Sequence, residues 1–274
     1  MHLSTRAGKG CTGVFHHPQQ MIFHRGTPDG CGQAGVRAMP VEYFGMTEQG
    51  KRWKNEDAYY IDQQGPLSIF AVADGLGGHA AGDVASRLAV TALGETAARG
   101  ATHRAPAAIL REAFSRANTD IISYNRSRGL NAATTLVAAI VEPSGHCTIG
   151  TAGDSRATIA SGEGVWHTKD HSYVQTLVDR GVLSEDEAFA HPQKHIVEKA
   201  LGLHESVLPD IYEKDLQDTT LVLSTDGLHD TLRPRVIAEI AARLSPRDAA
   251  AHLVREALRQ QSADNITVVV VRVT

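Results

Sequence analysis

From position 41 onward the chain alternates between short apolar runs and longer stretches whose apolar residues recur every three or four positions. VEYFG (41–45), AYYID (58–62), LSIFAVAD (67–74), TTLVAAIVE (134–142), HCTIGTAGD (146–154), TTLVLSTD (219–226) and NITVVVVRV (265–273) predict strands. Helical spacing marks 82–98, 106–125, 234–244 and 246–260. In the second of these Leu110, Phe114, Ala117, Ile121 and Tyr124 fall on one face, and Pro106, Pro234 and Pro246 stand where a first helical turn tolerates proline. Strands come in adjacent groups joined by short turns such as EPSGH (142–146), not in strict alternation with helices. That order favours antiparallel sheets with helices packed outside them.

Before position 41 the pattern changes. GKGCTGVFHHPQQ (8–20) and HRGTPDGCGQAG (24–35) are rich in Gly, His and Pro and follow neither period. Residues 1–40 are therefore expected to form a disordered extension, and 41–274 a single domain. Met39 stands directly before the first strand run, which makes it a candidate native start.

Composition narrows the class. A chain of 274 residues with 42% hydrophobic and 21% charged positions suits a globular protein with a substantial core. A formal net charge of -4 with the two signs intermixed marks neither a nucleic-acid surface nor a polybasic membrane surface. Cys11, Cys31 and Cys147 are an odd set without metal-ligand spacing, which fits a reducing compartment. No apolar stretch approaches the roughly 20 residues that span a bilayer, and no signal-peptide core is visible, so a cytoplasmic protein is expected.

The candidate chemistry lies at the strand ends. Asp74 closes the run SIFAVA, a costly place for a charge unless something at the tip offsets its lost hydration. Asp154 follows CTIGTAG, Asp226 follows TLVLST, and Asp264 precedes NITVVVV. Turn chemistry accounts for any one of them, since Asp-Gly and Asp-Asn favour tight turns. As a set they suggest more: strand ends can converge on one rim, and clustered carboxylates repel unless cations lie between them. Oxygen donors without cysteine or paired histidine favour Mg²⁺ or Mn²⁺ over zinc. Gly75 and Gly227 would let a carbonyl or a water approach such an ion closely. RWKNEDA (52–58), which taken alone reads equally well as a solvated loop, adds Glu56, Asp57 and the planar fork of Arg52, suited to a pair of phosphate oxygens.

RWKNEDA, DGLGGH (74–79), TAGDSRA (151–157), KDHS (169–172), HP (191–192), KALG (199–202), STDGLHD (224–230) and DNITVVVV (264–271) occur in the order seen in metal-dependent type 2C serine/threonine protein phosphatases. The chain resembles this PPM family, its bacterial members in particular, from about position 41 to the end. The resemblance implies an α+β fold, a four-layer α-β-β-α sandwich of two antiparallel β-sheets flanked by helices, with a binuclear metal site at one end. It makes Asp74 the bridging metal ligand, Gly75 a ligand through its carbonyl, and Asp226 and Asp264 ligands to one or other ion. Glu56 and Asp57 would hold metal-bound waters, Asp154 would help bind a third, looser ion, and Arg52 would bind phosphate. Arg52, Asp74 and Asp226 thus form the expected catalytic set, with two Mn²⁺ or Mg²⁺ ions as cofactors. The implied reaction is hydrolysis of phosphoserine and phosphothreonine in proteins by a metal-activated water, without a phosphoenzyme, opposing a bacterial-type Ser/Thr kinase. The expected partners are phosphorylated proteins, and the expected state is a monomer.

Some positions depart from the family pattern. Where eukaryotic members place a histidine after Asp-Gly, this chain has Leu76, which leaves a metal-bound water as the expected general acid. His79 is expected to be structural, at a helix start. Ala133-Thr134-Thr135 replaces a frequent Gly-Thr-Thr, and Lys194-His195 a frequent Arg-Asn pair. Residues 172–201 correspond to a flap that borders the active site in the family. An aspartyl-nucleophile phosphatase fits poorly, because the first acid of its Asp-x-Asp-Gly signature is Ser224 here. An inert phosphoprotein-binding scaffold is the alternative outside enzymology, and the retained acids at Asp74 and Asp226 weigh against it.

Overall fold

The computed structural model describes residues 38–77, 81–161 and 164–274. The expectations for residues 1–37 and for His79 lie outside the described residues. The chain begins with β1 (Val41–Glu48), β2 (Ala58–Gln64), β3 (Leu67–Ala73) and β4 (Gly75–Leu76), followed by α1 (Gly82–Gly100) and α2 (Pro106–Arg128). Then come β5 (Ala133–Thr134), β6 (Leu136–Val141), β7 (His146–Ala152), β8 (Arg156–Ser161) and β9 (Gly164–His167). The short helices α3 (Tyr173–Asp179) and α4 (Glu185–Ala190) precede β10 (Asp210–Asp215), β11 (Thr219–Ser224) and α5 (Asp226–His229). The chain ends with α6 (Pro234–Arg243), α7 (Pro246–Arg259) and β12 (Ile266–Val273).

Two antiparallel sheets result, in the orders β1-β12-β11-β8-β9 and β10-β7-β6-β3-β2. They pack face to face; α1 and α2 cover the outside of the second, α6 and α7 the outside of the first. The layers are helix, sheet, sheet, helix, as expected. Central strands read as unbroken apolar runs because both of their faces are covered. In β3, Ile69, Ala71 and Ala73 face the α1 and α2 layer, whereas Phe70 and Val72 enter the space between the sheets. In β12, Val269, Val271 and Val273 share that inter-sheet core, and Ile266, Val268 and Val270 meet the other helical layer. Period-two alternation thus serves two cores from one strand.

The main helices obey the predicted periodicity. Leu110, Phe114, Ala117 and Ile121 are fully buried under the sheet, while Tyr124 is half-buried beneath the guanidinium of Arg128. TTLVAAIVE does not form one strand: it divides at Thr135, whose backbone N–H donates to Asp74 O at 2.9 Å and whose hydroxyl accepts from Asp74 N at 2.9 Å. β8 and β10 carry no strong apolar signal. Alanine, serine and arginine dominate RATIAS, and DIYEKD is an edge strand with its charges in solvent. Met39 and Pro40 already bond to the body, through Pro143 O and Thr274 N. No helix among the described residues is long and apolar enough to cross a membrane.

The inter-sheet core supplies a direct test of the layering. Phe70 is fully buried there, 5.3 Å from the ring of Tyr43. Phe70→Ala should lower unfolding free energy by about 3–5 kcal/mol, read as an earlier urea midpoint with unchanged slope.

Candidate metal centre

Strand register alone brings the predicted acids to one rim. In the second sheet Ala58 pairs with Ala73, so Asp57 and Asp74 flank the same end of β2 and β3. Leu136 pairs with Ala152, which puts Thr135 and the turn at Asp154 beside them. In the first sheet Ser224 pairs with both Val268 and Arg156, so Asp226, Asp264 and Asp154 sit at one end as well. β7 and β8 belong to different sheets, and Gly153-Asp154-Ser155 carries the chain from one to the other. Both sheets therefore present this end together.

Close backbone contacts fix the acids at that rim. A Cβ on Gly75 would lie 2.4 Å from Gly82 O and 2.6 Å from Glu56 O, so the residue after Asp74 is wedged between α1 and the Glu56 loop. A Cβ on Gly227 would lie 1.9 Å from Asn265 O, so the residue after Asp226 presses on the one after Asp264. The sequence suggested that these glycines make room for an ion. In the structure the room is taken by the protein's own backbone. Asn265 completes the clamp: its Oδ1 accepts from Glu56 N at 2.9 Å, and its Nδ2 donates to Gln49 O at 2.8 Å and Lys54 O at 2.9 Å. Thr134 Oγ1 donates to Asp74 O at 2.8 Å, while Thr135 Oγ1 meets Ser155 Oγ at 2.6 Å. Ala133, paired with Leu76 in β5, keeps a negative φ, so nothing there requires the glycine common in relatives.

The electrostatics follow from this crowding. Enclosure, countered by hydroxyls of Thr267 and Thr225 and reinforced by Asp264 and Glu56, pushes Asp57 up to about 7. Enclosure again, then Asp226, Asp57, Asp154 and Asp264, hold Asp74 well above the usual carboxylate range. Asp226 is raised likewise by enclosure and by Asp154, Asp230 and Asp264, with a hydrogen bond to Asp74 in opposition. Asp154 is pushed up to about 7 by burial and by Asp170 and Asp230. Partial burial of Arg52 is outweighed by Asp264, Asp226 and Asp74, which raise its guanidinium above its ordinary value.

These residues fit a hard divalent cation. Oδ1 of Asp57 and Oδ1 of Asp226 are cut off from solvent and have no hydrogen-bond partner, and enclosed acceptors of like charge call for a cation. Among the described residues, no three acidic, histidine or cysteine side chains draw in around one point as a finished ligand shell. The acids form an open rim, the arrangement suited to ions such as Mg²⁺ that keep several waters.

Asp57, Asp74, Asp154, Asp226 and Asp264 thus come together, with Glu56 and Gly75 packed beside them. Arg52 lies at the edge, exposed, with Nη2 donating to Asp264 Oδ2 at 2.6 Å. Lys194, in the flap segment, bonds to the carboxylate and carbonyl of Asp230 at 3.2 and 3.0 Å. Sequence reasoning assigned no role to Asn265, Thr135, Thr225, Asp170 or Asp230. Asp170 holds Arg156 bidentately at 2.7 and 2.6 Å, and Thr225 donates to Asp57 Oδ2 at 2.9 Å. Each occurs inside or next to a string quoted above, the available signal. His229 is wholly buried with Nδ1 2.9 Å from Ser224 Oγ, and burial lowers it well below the usual histidine range.

Gly227→Ala tests the clamp. The added methyl must separate the Asp226 and Asp264 turns, and it is expected to cost about 1–3 kcal/mol by overpacking, measured as a lowered melting temperature.

Comparison with known proteins identifies the family and the fold. The family model "Protein phosphatase 2C" matches residues 45–261. Serine/threonine protein phosphatase PstP of Mycobacterium tuberculosis is 33% identical over 238 residues, which cover 84% of this chain and 44% of that protein, so the chain spans less than half of that relative's length. Serine/threonine phosphatase stp of Listeria welshimeri is 36% identical over 236 residues, covering 82% of this chain and 93% of that protein. The crystal structure of the catalytic domain of PstP in complex with two manganese ions superposes with a TM-score of 0.75 at 30% identity, covering 85% of this chain and 98% of that one. Shared sequence over most of its length, on a shared fold, means that this chain belongs to the protein phosphatase 2C family.

Proposed function

We propose that this protein is a bacterial-type serine/threonine protein phosphatase, hydrolysing phosphoserine and phosphothreonine by direct attack of water on phosphorus. The observation that carries this reading is the rim of Asp57, Asp74 and Asp226, two of whose enclosed oxygens lack any partner. Asp74, Asp226, Asp264 and the carbonyl of Gly75 would hold two Mn²⁺ or Mg²⁺ ions, with Glu56 and Asp57 directed to their waters and Asp154 to a third ion. Bound there, the ions supply Lewis-acid activation of water and of the phosphoryl oxygens.

The chain's own groups do the rest. Arg52, on a loop clamped by Asn265, binds the non-bridging phosphate oxygens and so orients phosphorus for in-line attack. Thr225 holds Asp57 through Oδ2 and leaves its buried Oδ1 without a protein partner. As oxygen from water bonds to phosphorus the P–O ester bond breaks, inorganic phosphate leaves, and the serine or threonine hydroxyl remains on the substrate protein; Leu76 offers no proton, so a water held at the metal site would supply the one the departing alkoxide takes. No side chain needs to become phosphorylated. The substrates are products of a Ser/Thr kinase, and the enzyme acts as a monomer in the cytoplasm.

Metal removal separates binding from turnover. After chelation, Mn²⁺ at about a hundredfold its dissociation constant should stabilise the wild type by about 2.7 kcal/mol, seen as a higher melting temperature. Asp226→Asn should lose most of that gain and hydrolyse a phosphothreonine peptide at background rate. Its metal-free form should match or exceed wild-type stability, because one repelling carboxylate is gone. Normal turnover by this variant would remove Asp226 from the site.

Arg52→Ala should act differently. KM for the same peptide is expected to rise about tenfold with kcat changed far less, since phosphate binding is lost and the attacking water is untouched. An equal fall in kcat with unchanged KM would contradict the assigned role.

A further inference from the structure

Trp53 is 80% exposed, the most exposed large apolar side chain among the described residues. It stands between Arg52, which reaches Asp264 at the rim, and Lys54, whose ammonium is 5.8 Å from the indole centroid and pairs with Asp83. Such exposure on a slack loop would mean little. This loop is fixed on both sides of the indole: Arg52 O accepts from Gln49 Nε2 at 2.8 Å and Lys54 O from Asn265 Nδ2 at 2.9 Å. Lys51 Nζ adds a bond to Gln261 Oε1 at 2.8 Å.

An indole held in water on a backbone already fixed beside the phosphate-binding arginine is an aromatic anchor for which most of the loop ordering precedes any partner. We infer that Trp53 is a specificity-determining residue that packs against an apolar side chain of the phosphoprotein substrate close to the phosphorylated position. This rests on the phosphatase reading above. The partner is the substrate's own polypeptide, because Trp53 directly follows Arg52, which reaches the rim through Asp264, and their Cα atoms are about 3.8 Å apart. An extended peptide advances about 3.3 Å per residue, so the contacted side chain lies within about three positions of the phosphoresidue.

The test compares Mn²⁺-loaded wild type and Trp53→Ala on three substrates: a phosphothreonine peptide with leucines flanking the phosphoresidue, the same peptide with glycines there, and p-nitrophenyl phosphate. The variant is expected to lose about tenfold in kcat/KM on the leucine peptide, through KM, and to stay within about twofold on the other two. Trp53→Phe should keep the preference, and thermal melts should show both variants folded. Equal losses on all three substrates would make Trp53 a support for Arg52 and overturn the inference, as would an unchanged leucine peptide. If wild type hydrolyses none of the three, the phosphatase reading falls and the inference with it. Wild-type turnover of all three without a leucine preference overturns the inference alone.

Discussion

Like charges are forced together at one end of this sandwich, and backbone contacts closer than any Cβ would permit hold them there. The absence of a side chain at Gly75 and Gly227 lets the turns after Asp74 and Asp226 pack this closely, and hydrogen bonds from Thr134 and Thr135 and through Asn265 keep them from relaxing outward. A looser arrangement would let the carboxylates separate and rehydrate. The raised values of Asp57, Asp74, Asp154 and Asp226 are the electrostatic expression of that constraint.

The layered cores make the constraint sustainable. Each sheet is packed on both faces, and interiors at this density transmit strain instead of absorbing it. Because β7 passes into β8 through Asp154 and Ser155, the two sheets cannot slide apart at the acidic rim without breaking the hydroxyl contact of Ser155 with Thr135. Thr135 is drawn out of its strand to hold Asp74, so a local irregularity in the ladder serves the site.

Around the acids the polar groups divide by task. Asn265 ties three loop positions together and sets the height of the Arg52 loop. The flap segment is joined to the body by Lys194 on Asp230 and by the ion pair of Arg233 with Asp186, next to Phe189, which both cations approach. The rim thus has one side, the Arg52 and Trp53 loop, fixed by Asn265, and another tied to the body by the half-buried Lys194–Asp230 pair, by backbone bonds between Leu201 and Thr134, and by the exposed Arg233–Asp186 pair that salt would weaken.

The sequence by itself determined the strand and helix periods, the antiparallel class, and the acids at strand ends, because short-range pattern and turn chemistry are local properties. It left β8, β9 and β10 unmarked, since the small residues of β8 and the short or charged edge strands β9 and β10 carry little pattern. Nor did it tell which face of ITVVVVRV meets which core: an unbroken apolar run reads the same from both sides, and only packing between the sheets settles it. Tertiary structure alone decided that Gly227 touches Asn265, that Asn265 and Thr135 brace the site, and that Trp53 stays in water. Those facts depend on segments distant in the chain meeting in space, which no local pattern encodes.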